Sequence, residues 1–299
     1  MNELPHPRPA VVPARSFDLV ADAYDRARPS YPQAAVAWLL DGVPPPADDH
    51  AHHPDHARGA VEVLELGAGT GKLTEQLLAR GCTVTATDPS EAMLSRLGVR
   101  APGARVLAGA AEQIPVARRS ADLVVAAQAA HWFDLDRTLP EIARVLRPGG
   151  RMAVVWNARD ERIPWVKRLG RIIGTADQPN DPTAAIDETG MFEAVERATF
   201  RFWQPLSRES LRDLVASRSH VAVMPDFERE RVLRRVDELY AEYGRGPDGL
   251  LLPYVTTACR THLLPWALPP EPVAQPAAQA PLVDPPGLGD DDSLLIDFR

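Results

Sequence analysis

Short apolar runs alternate along the middle of this chain with longer stretches in which apolar positions recur every three or four residues. The short runs, rich in Val, Leu, Ala and Thr, predict strands over residues 61–66, 82–87, 105–108, 122–127 and 152–157. The helical spacing falls over 71–80, 90–97, 136–146 and 165–173. Ser90 is placed to cap the helix it opens, and Pro148-Gly149-Gly150 to stop the helix ending near Leu146. Such alternation predicts an α/β fold, with right-handed crossovers building a parallel sheet covered on both faces. Further on, the pattern predicts a strand over 197–204, helices over 208–217 and 226–243, and a last strand over 250–263. Pro253 lacks an N–H, which predicts that this strand lies at an edge or starts just after the proline.

The 30 prolines cluster where the periodic pattern stops. Residues 1–15 read as a flexible N-terminal arm, 16–264 as one domain, and 265–299 as a disordered tail rich in proline and acid. Within the domain, residues 43–60 read as a long exposed loop rich in proline and histidine. No internal repeat is visible.

The first strand runs directly into Gly67-Ala68-Gly69-Thr70-Gly71-Lys72. A nucleoside-triphosphate loop needs GxxxxGK and then Ser or Thr, but Leu66 stands at the first glycine position and Leu73 follows Lys72. A pyrophosphate-binding dinucleotide fingerprint needs GxGxxG, but the third position here is Lys72. The pattern is GxGxG, preceded by an acid at Glu65. Asp88 ends the second predicted strand, where a carboxylate can accept both hydroxyls of a ribose lying across the strand ends. A nucleoside without phosphates is therefore expected, and S-adenosyl-L-methionine fits: it has a ribose, an adenine and a zwitterionic amino-acid end.

The order VLELGAGTG, TATDPS, GAAEQIP, ADLVVAAQAAHWFD, VLRPGGRMAVV resembles the class I S-adenosylmethionine-dependent methyltransferases. Through YDRARPSYP and AAHWF the chain also resembles the trans-aconitate methyltransferase-like branch. The resemblance covers roughly residues 16–263. It implies a Rossmann-like, doubly wound sheet of seven strands, mostly parallel with the last antiparallel and helices on both faces. It further implies that Gly67, Ala68, Gly69 and Gly71 pass under the methionine part with Glu65 behind them, and that Asp88 takes the ribose hydroxyls. Pro89 would lie beside the adenine, Ala111 and Glu112 would meet its amino group, and Gln128 would face the sulfonium. Tyr24, Arg28 and Tyr31 match an N-terminal helix that closes over the cofactor. His131 is expected in the cleft as a base or as a substrate-orienting group, with Trp132 and Phe133 as an aromatic wall for the acceptor.

Charge narrows the partners. The formal net charge is −8 and no basic block is present, so a nucleic-acid substrate is not expected. No apolar run is long enough to span a membrane, the N-terminus lacks a signal-peptide core, and only Cys82 and Cys259 occur, so a reducing cytoplasm is expected. The cluster His50, His52, His53 and His56 sits in a loop too rich in proline and alanine to frame a metal, and no metal site is expected. The expected activity is methyl transfer to an O, N or carboxylate of a small molecule by in-line displacement. A non-catalytic protein binding the same cofactor and a nicotinamide-dependent oxidoreductase stay open as alternatives. Acceptor choice is expected to lie in the N-terminal lid and in residues 156–190 and 208–243, and the oligomeric state is not legible.

Overall fold

The computed structural model describes residues 28–43, 59–174, 181–244, 246 and 249–268. The arm 1–15, Tyr24, the histidine cluster and the tail beyond Leu268 lie outside the described residues. Seven strands form one sheet: β1 (Glu62–Leu66), β2 (Thr83–Asp88), β3 (Arg105–Ala108), β4 (Ala121–Ala127), β5 (Leu146–Arg159), β6 (Glu196–Leu206) and β7 (Leu250–His262). Their order is β3-β2-β1-β4-β5-β7-β6. The first five pair in parallel, and β7 runs antiparallel to both neighbours. This is the Rossmann-like sheet the sequence leads one to expect. Its strand order reverses between β1 and β4, which opens a crevice at their carboxyl ends.

Period-two alternation decides the two faces. Val63, Leu123, Val125, Ala153 and Val155 point to one side, where α1 (Gln33–Leu40) and α2 (Lys72–Leu78) supply Val36, Leu39, Leu73 and Leu77. Leu64, Leu66, Val124, Ala126, Met152 and Val154 point to the other, against Leu139 and Ile142 of α4 (Leu135–Val145) and Ile186 of α6 (Thr183–Glu188). On the outer strands, α3 (Glu91–Arg100) buries Leu97 against Ala86. Ser90 caps α3 as expected, its Oγ accepting from Met93 N at 3.3 Å. A separate cluster joins α5 (Pro164–Ile173), α7 (Arg208–Ala216), α8 (Ser219–Ala222) and α9 (Asp226–Tyr243) to Leu250, Leu252 and Tyr254 at the start of β7.

Two expectations need correction. Pro253 does not mark an edge or a strand start: β7 runs through it, between β5 and β6. Its carbonyl accepts from Asp160 N at 2.9 Å, on the side of β5. The missing N–H therefore faces the point just past Arg159, where β5 has ended, and costs the sheet no ladder bond. The Pro148-Gly149-Gly150 stretch likewise does not merely stop a helix. The helix ends at Val145, and the three residues form a bulge inside β5, where the pairing register with β4 shifts between Ala121 and Leu123. The chain also stays ordered into the expected tail: a 3-10 turn over Pro265–Ala267 sets Ala267 and Leu268 against the core.

Candidate active site

The turn leaving β1 is left-handed at all three glycines, with φ of +64° at Gly67, +57° at Gly69 and +83° at Gly71. They are not equivalent. A Cβ on Gly67 would stand 2.6 Å from the Ala129 Cβ, and one on Gly71 would stand 2.9 Å from Leu97 Cγ. Gly69 has nothing within 4 Å of that position. So Gly67 and Gly71 serve packing, while Gly69 turns bare main chain toward open space. Two bonds hold the turn against β2: Ala68 N to Thr87 O, and Gly69 N to Asp88 Oδ2, both at 2.9 Å.

Asp88 is buried, and its Oδ1 accepts from Ser90 N at 2.9 Å. Pro89 beside it is exposed. Gly109 N donates to Asp88 O at 3.2 Å, which brings the following loop, with buried Ala111, alongside. Glu112 in that loop accepts from Asp134 N at 2.9 Å and so fastens the entry of α4.

Glu65 is 1% exposed at the end of β1, and Thr74 Oγ1 donates to its Oε2 at 2.6 Å. Burial, opposed by the Thr74 bond and reinforced by the Asp88 charge, pushes its carboxyl up to about 8. Across the crevice Gln128 follows β4 with φ +57°, a strained value for a residue with a side chain. Its N donates to Val155 O at 2.8 Å and its Nε2 to Asn157 O at 3.1 Å, which pins the strain to β5.

A cavity opens on this crevice. Glu65, the glycine turn and Lys72 line it from β1 and α2, and Gln128, Asn157 and Arg159 from β4 and β5. Arg28 and Tyr31 close it from the N-terminal segment, and Arg218 and Tyr254 from the α7–α8 junction and β7. Bonds to the rest of the fold hold the N-terminal segment in place. Asn157 Nδ2 donates to Ser30 O at 3.2 Å, Gln76 Nε2 to Tyr31 O at 2.8 Å, and Arg28 Nε to Ser217 Oγ at 3.4 Å.

The sequence-derived residues thus divide. Arg28, Tyr31, Glu65, Gly67, Ala68, Gly69 and Gln128 share the cavity, with Asp88 bonded to its turn. His131 lines a smaller neighbouring pocket with Trp156 and Pro182, which Gln128 also touches. Trp132 is 46% exposed, its ring 4.8 Å from that of His131. Phe133 packs on the core next to Gly67. Sequence reasoning missed Asn157, Arg159, Arg218 and Tyr254. Only Asn157 carried a signal, standing at the predicted end of the fifth strand.

The Methyltransferase domain family matches residues 64–154. A Mycobacterium tuberculosis protein known only as an uncharacterised methyltransferase is 44% identical over 250 residues, covering 83% of this chain and 96% of its own. The chain belongs to the class I S-adenosylmethionine-dependent methyltransferases. Its cofactor is S-adenosyl-L-methionine. An uncharacterised methyltransferase-like protein of Schizosaccharomyces pombe is 34% identical over 247 residues, covering 80% of this chain and 91% of its own. A solved structure of a candidate type II methyltransferase from Anaeromyxobacter dehalogenans shares the fold, with a TM-score of 0.50 at 24% identity over 79% of this chain and 97% of that one. These relatives' names carry no acceptor and assign no branch within the family. The bare Gly69 main chain and the buried Asp88 carboxylate bonded to it fit the cofactor, which asks for contact with main chain and a hydroxyl-binding anion rather than a phosphate cradle.

No helix among the described residues is long and apolar enough to cross a membrane. Among those residues no cluster of His, Cys, Asp and Glu could hold a metal ion.

Proposed function

We propose that this methyltransferase moves a methyl group to a small-molecule acceptor by in-line displacement. The observation that carries the reading is the pairing of open main chain at Gly69 with the buried carboxylate of Asp88 at the strand-order reversal. When bound, the cofactor supplies a methyl group already activated on a sulfonium. The chain's task is then alignment and exclusion of water. Asp88 accepts the ribose hydroxyls, the Gly67–Gly71 turn runs under the methionine part, and Glu65 meets its ammonium. Pro89, Ala111 and Glu112 border the adenine, and Gln128 faces the sulfonium from its strained turn. Arg28 and Tyr31 cover the cavity, a role Tyr24 would share. His131, set in the neighbouring pocket with Trp132 beside it, orients an acceptor that reaches past Gln128.

Calorimetric titration with S-adenosylhomocysteine tests this. Asp88→Ala is expected to weaken binding about 30-fold, roughly 2 kcal/mol for lost charge-assisted hydrogen bonds. Asp88→Asn, which keeps one acceptor oxygen, should fall between. A parent protein that ignored S-adenosylhomocysteine and bound a nicotinamide dinucleotide instead would overturn the reading.

A further inference from the structure

Asn157 breaks the pattern of its strand. Period two puts it on the same face of β5 as Ala153 and Val155, and its partner across the ladder, Thr256, on the same face of β7 as Ala258. Those three neighbours are apolar and share a core cluster with α1. The pair beyond them, toward the carboxyl end of β5, is polar and yet buried, Asn157 at 6% exposure and Thr256 at 0%. Burying two such groups is costly unless they are hydrogen-bonded.

Their bonds join separate parts of the site. Asn157 Nδ2 donates to Ser30 O at 3.2 Å, within the N-terminal segment that brings Arg28, Pro29 and Tyr31 to the cavity. Its main-chain O accepts from Gln128 Nε2 at 3.1 Å, across the crevice at the left-handed turn after β4. Its Oδ1 accepts from Thr256 Oγ1 at 2.6 Å. The direction of the amide is forced. A main-chain carbonyl can only accept, so the nitrogen must face Ser30 and the oxygen must face Thr256, whose hydroxyl donates. The far end of α1 is fastened independently: Arg260 Nη1 donates to Trp38 O at 2.6 Å, and Arg151 Nη1 to Asp41 O at 2.5 Å. Losing the Ser30 bond would therefore loosen residues 28–31 while the helix keeps its seat.

We propose that Asn157, oriented by Thr256, is the positioning residue that couples closure of residues 28–31 over the cavity to the placement of Gln128 on its opposite wall. The proposal rests on the reading that this cavity holds the cofactor. One side chain and one carbonyl of the same residue then set both walls, so a ligand held between them stabilises the closed segment, and the closed segment holds the ligand.

Calorimetric titration of the full chain with S-adenosylhomocysteine, together with urea melts and amide hydrogen exchange, tests the coupling. Asn157→Asp keeps the shape and the oxygen for Thr256 but loses the donor to Ser30, and should weaken binding about 10-fold. The added charge would by itself favour the ligand's ammonium, so a weakening reads the lost donor. Thr256→Val should weaken binding about 5-fold, whereas Thr256→Ser, which keeps the hydroxyl, should stay within about 2-fold of the parent. Val63→Ala, on the same face but away from the cavity, should lower the urea midpoint while leaving affinity within about 2-fold. In the parent, S-adenosylhomocysteine should slow exchange at the Ser30 and Tyr31 amides by about 10-fold, and in Asn157→Asp by less than about 2-fold, because coupling is reciprocal. If Asn157→Asp does not fold, Thr256→Val carries the same comparisons. Affinity in Asn157→Asp equal to the parent's, Thr256→Ser falling as far as Thr256→Val, Val63→Ala losing affinity in step with its stability, or ligand protection at Ser30 that survives Asn157→Asp would overturn the proposal. Those outcomes in a parent that binds S-adenosylhomocysteine sink the coupling alone, whereas a parent that does not bind it sinks the methyl-transfer reading beneath.

Discussion

Gly67→Ala is expected to cost the fold about 3 to 4 kcal/mol, and Gly69→Ala only about 1 to 2 kcal/mol, although the two glycines are two residues apart in one turn. Both have left-handed φ, so both pay the steric penalty of a Cβ there. Only Gly67 adds a collision, 2.6 Å from the Ala129 Cβ with Phe133 at 3.6 Å behind it. Ala129 is buried next to the 3-10 turn over Ala130–Trp132, so relief requires moving backbone. Gly69 meets no atom within 4 Å, and its added methyl enters the space assigned to the cofactor. Its binding penalty should therefore reach about 10-fold or more, set by the overpacking of a contact rather than by unfolding. Urea melts paired with S-adenosylhomocysteine titrations separate the two effects. Equal loss of stability in both variants, or a Gly69→Ala protein that binds like the parent, would show that the glycines are interchangeable spacers.

The fold was legible because alternation is a local property. Val63 and Leu64 are both apolar, yet period two sends one to the α1–α2 face and the other to the α4 face, as a doubly covered sheet demands. The GxGxG spacing and the acid ending β2 are local too, and they led to Asp88 and the turn. Pro253 misled because a proline's harm depends on which way its absent N–H points and where the neighbour strand stops, and neither is written in sequence. His131, Trp132 and Phe133 are consecutive, but the tight 3-10 turn splays them to a small pocket, to solvent and to the core. Arg159 and Arg218 were invisible for a related reason. Each is one of 33 basic residues, and only the meeting of β5, β7 and the α7–α8 junction gathers them at Tyr254. The residues proposed to hold the cofactor follow strand ends, whereas Arg159 and Arg218 reach the cavity only through tertiary contacts.

Glu65→Gln is expected to make the unliganded protein more stable at alkaline pH while weakening its hold on the cofactor. In the folded chain burial raises the Glu65 carboxyl from 4.5 to about 8. The folded state therefore binds more protons than the unfolded state between those values, so stability falls as pH rises from about 4.5 to about 8 and then levels. Each tenfold gain in proton affinity on folding is worth about 1.4 kcal/mol, so the loss across that window is on the order of 3 to 5 kcal/mol. Gln keeps the shape and an oxygen for the Thr74 hydroxyl, which donates at 2.6 Å, but it cannot ionise. The variant's stability should thus be flat where the parent's declines, and near pH 8 it should exceed the parent's. Urea melts at matched pH values check the slope, and a parent as flat as the variant would remove Glu65 as its source. The cofactor's ammonium reverses the balance, since a cation beside the carboxyl favours the charged form that burial disfavours. Binding to the parent should then release a proton near neutral pH, visible as a dependence of the calorimetric heat on the buffer's ionisation enthalpy. Glu65→Gln should lose both that proton and part of the affinity. An acid destabilised by its own burial and relieved by a cationic ligand would tie the stability of the β1 turn to occupancy of the site.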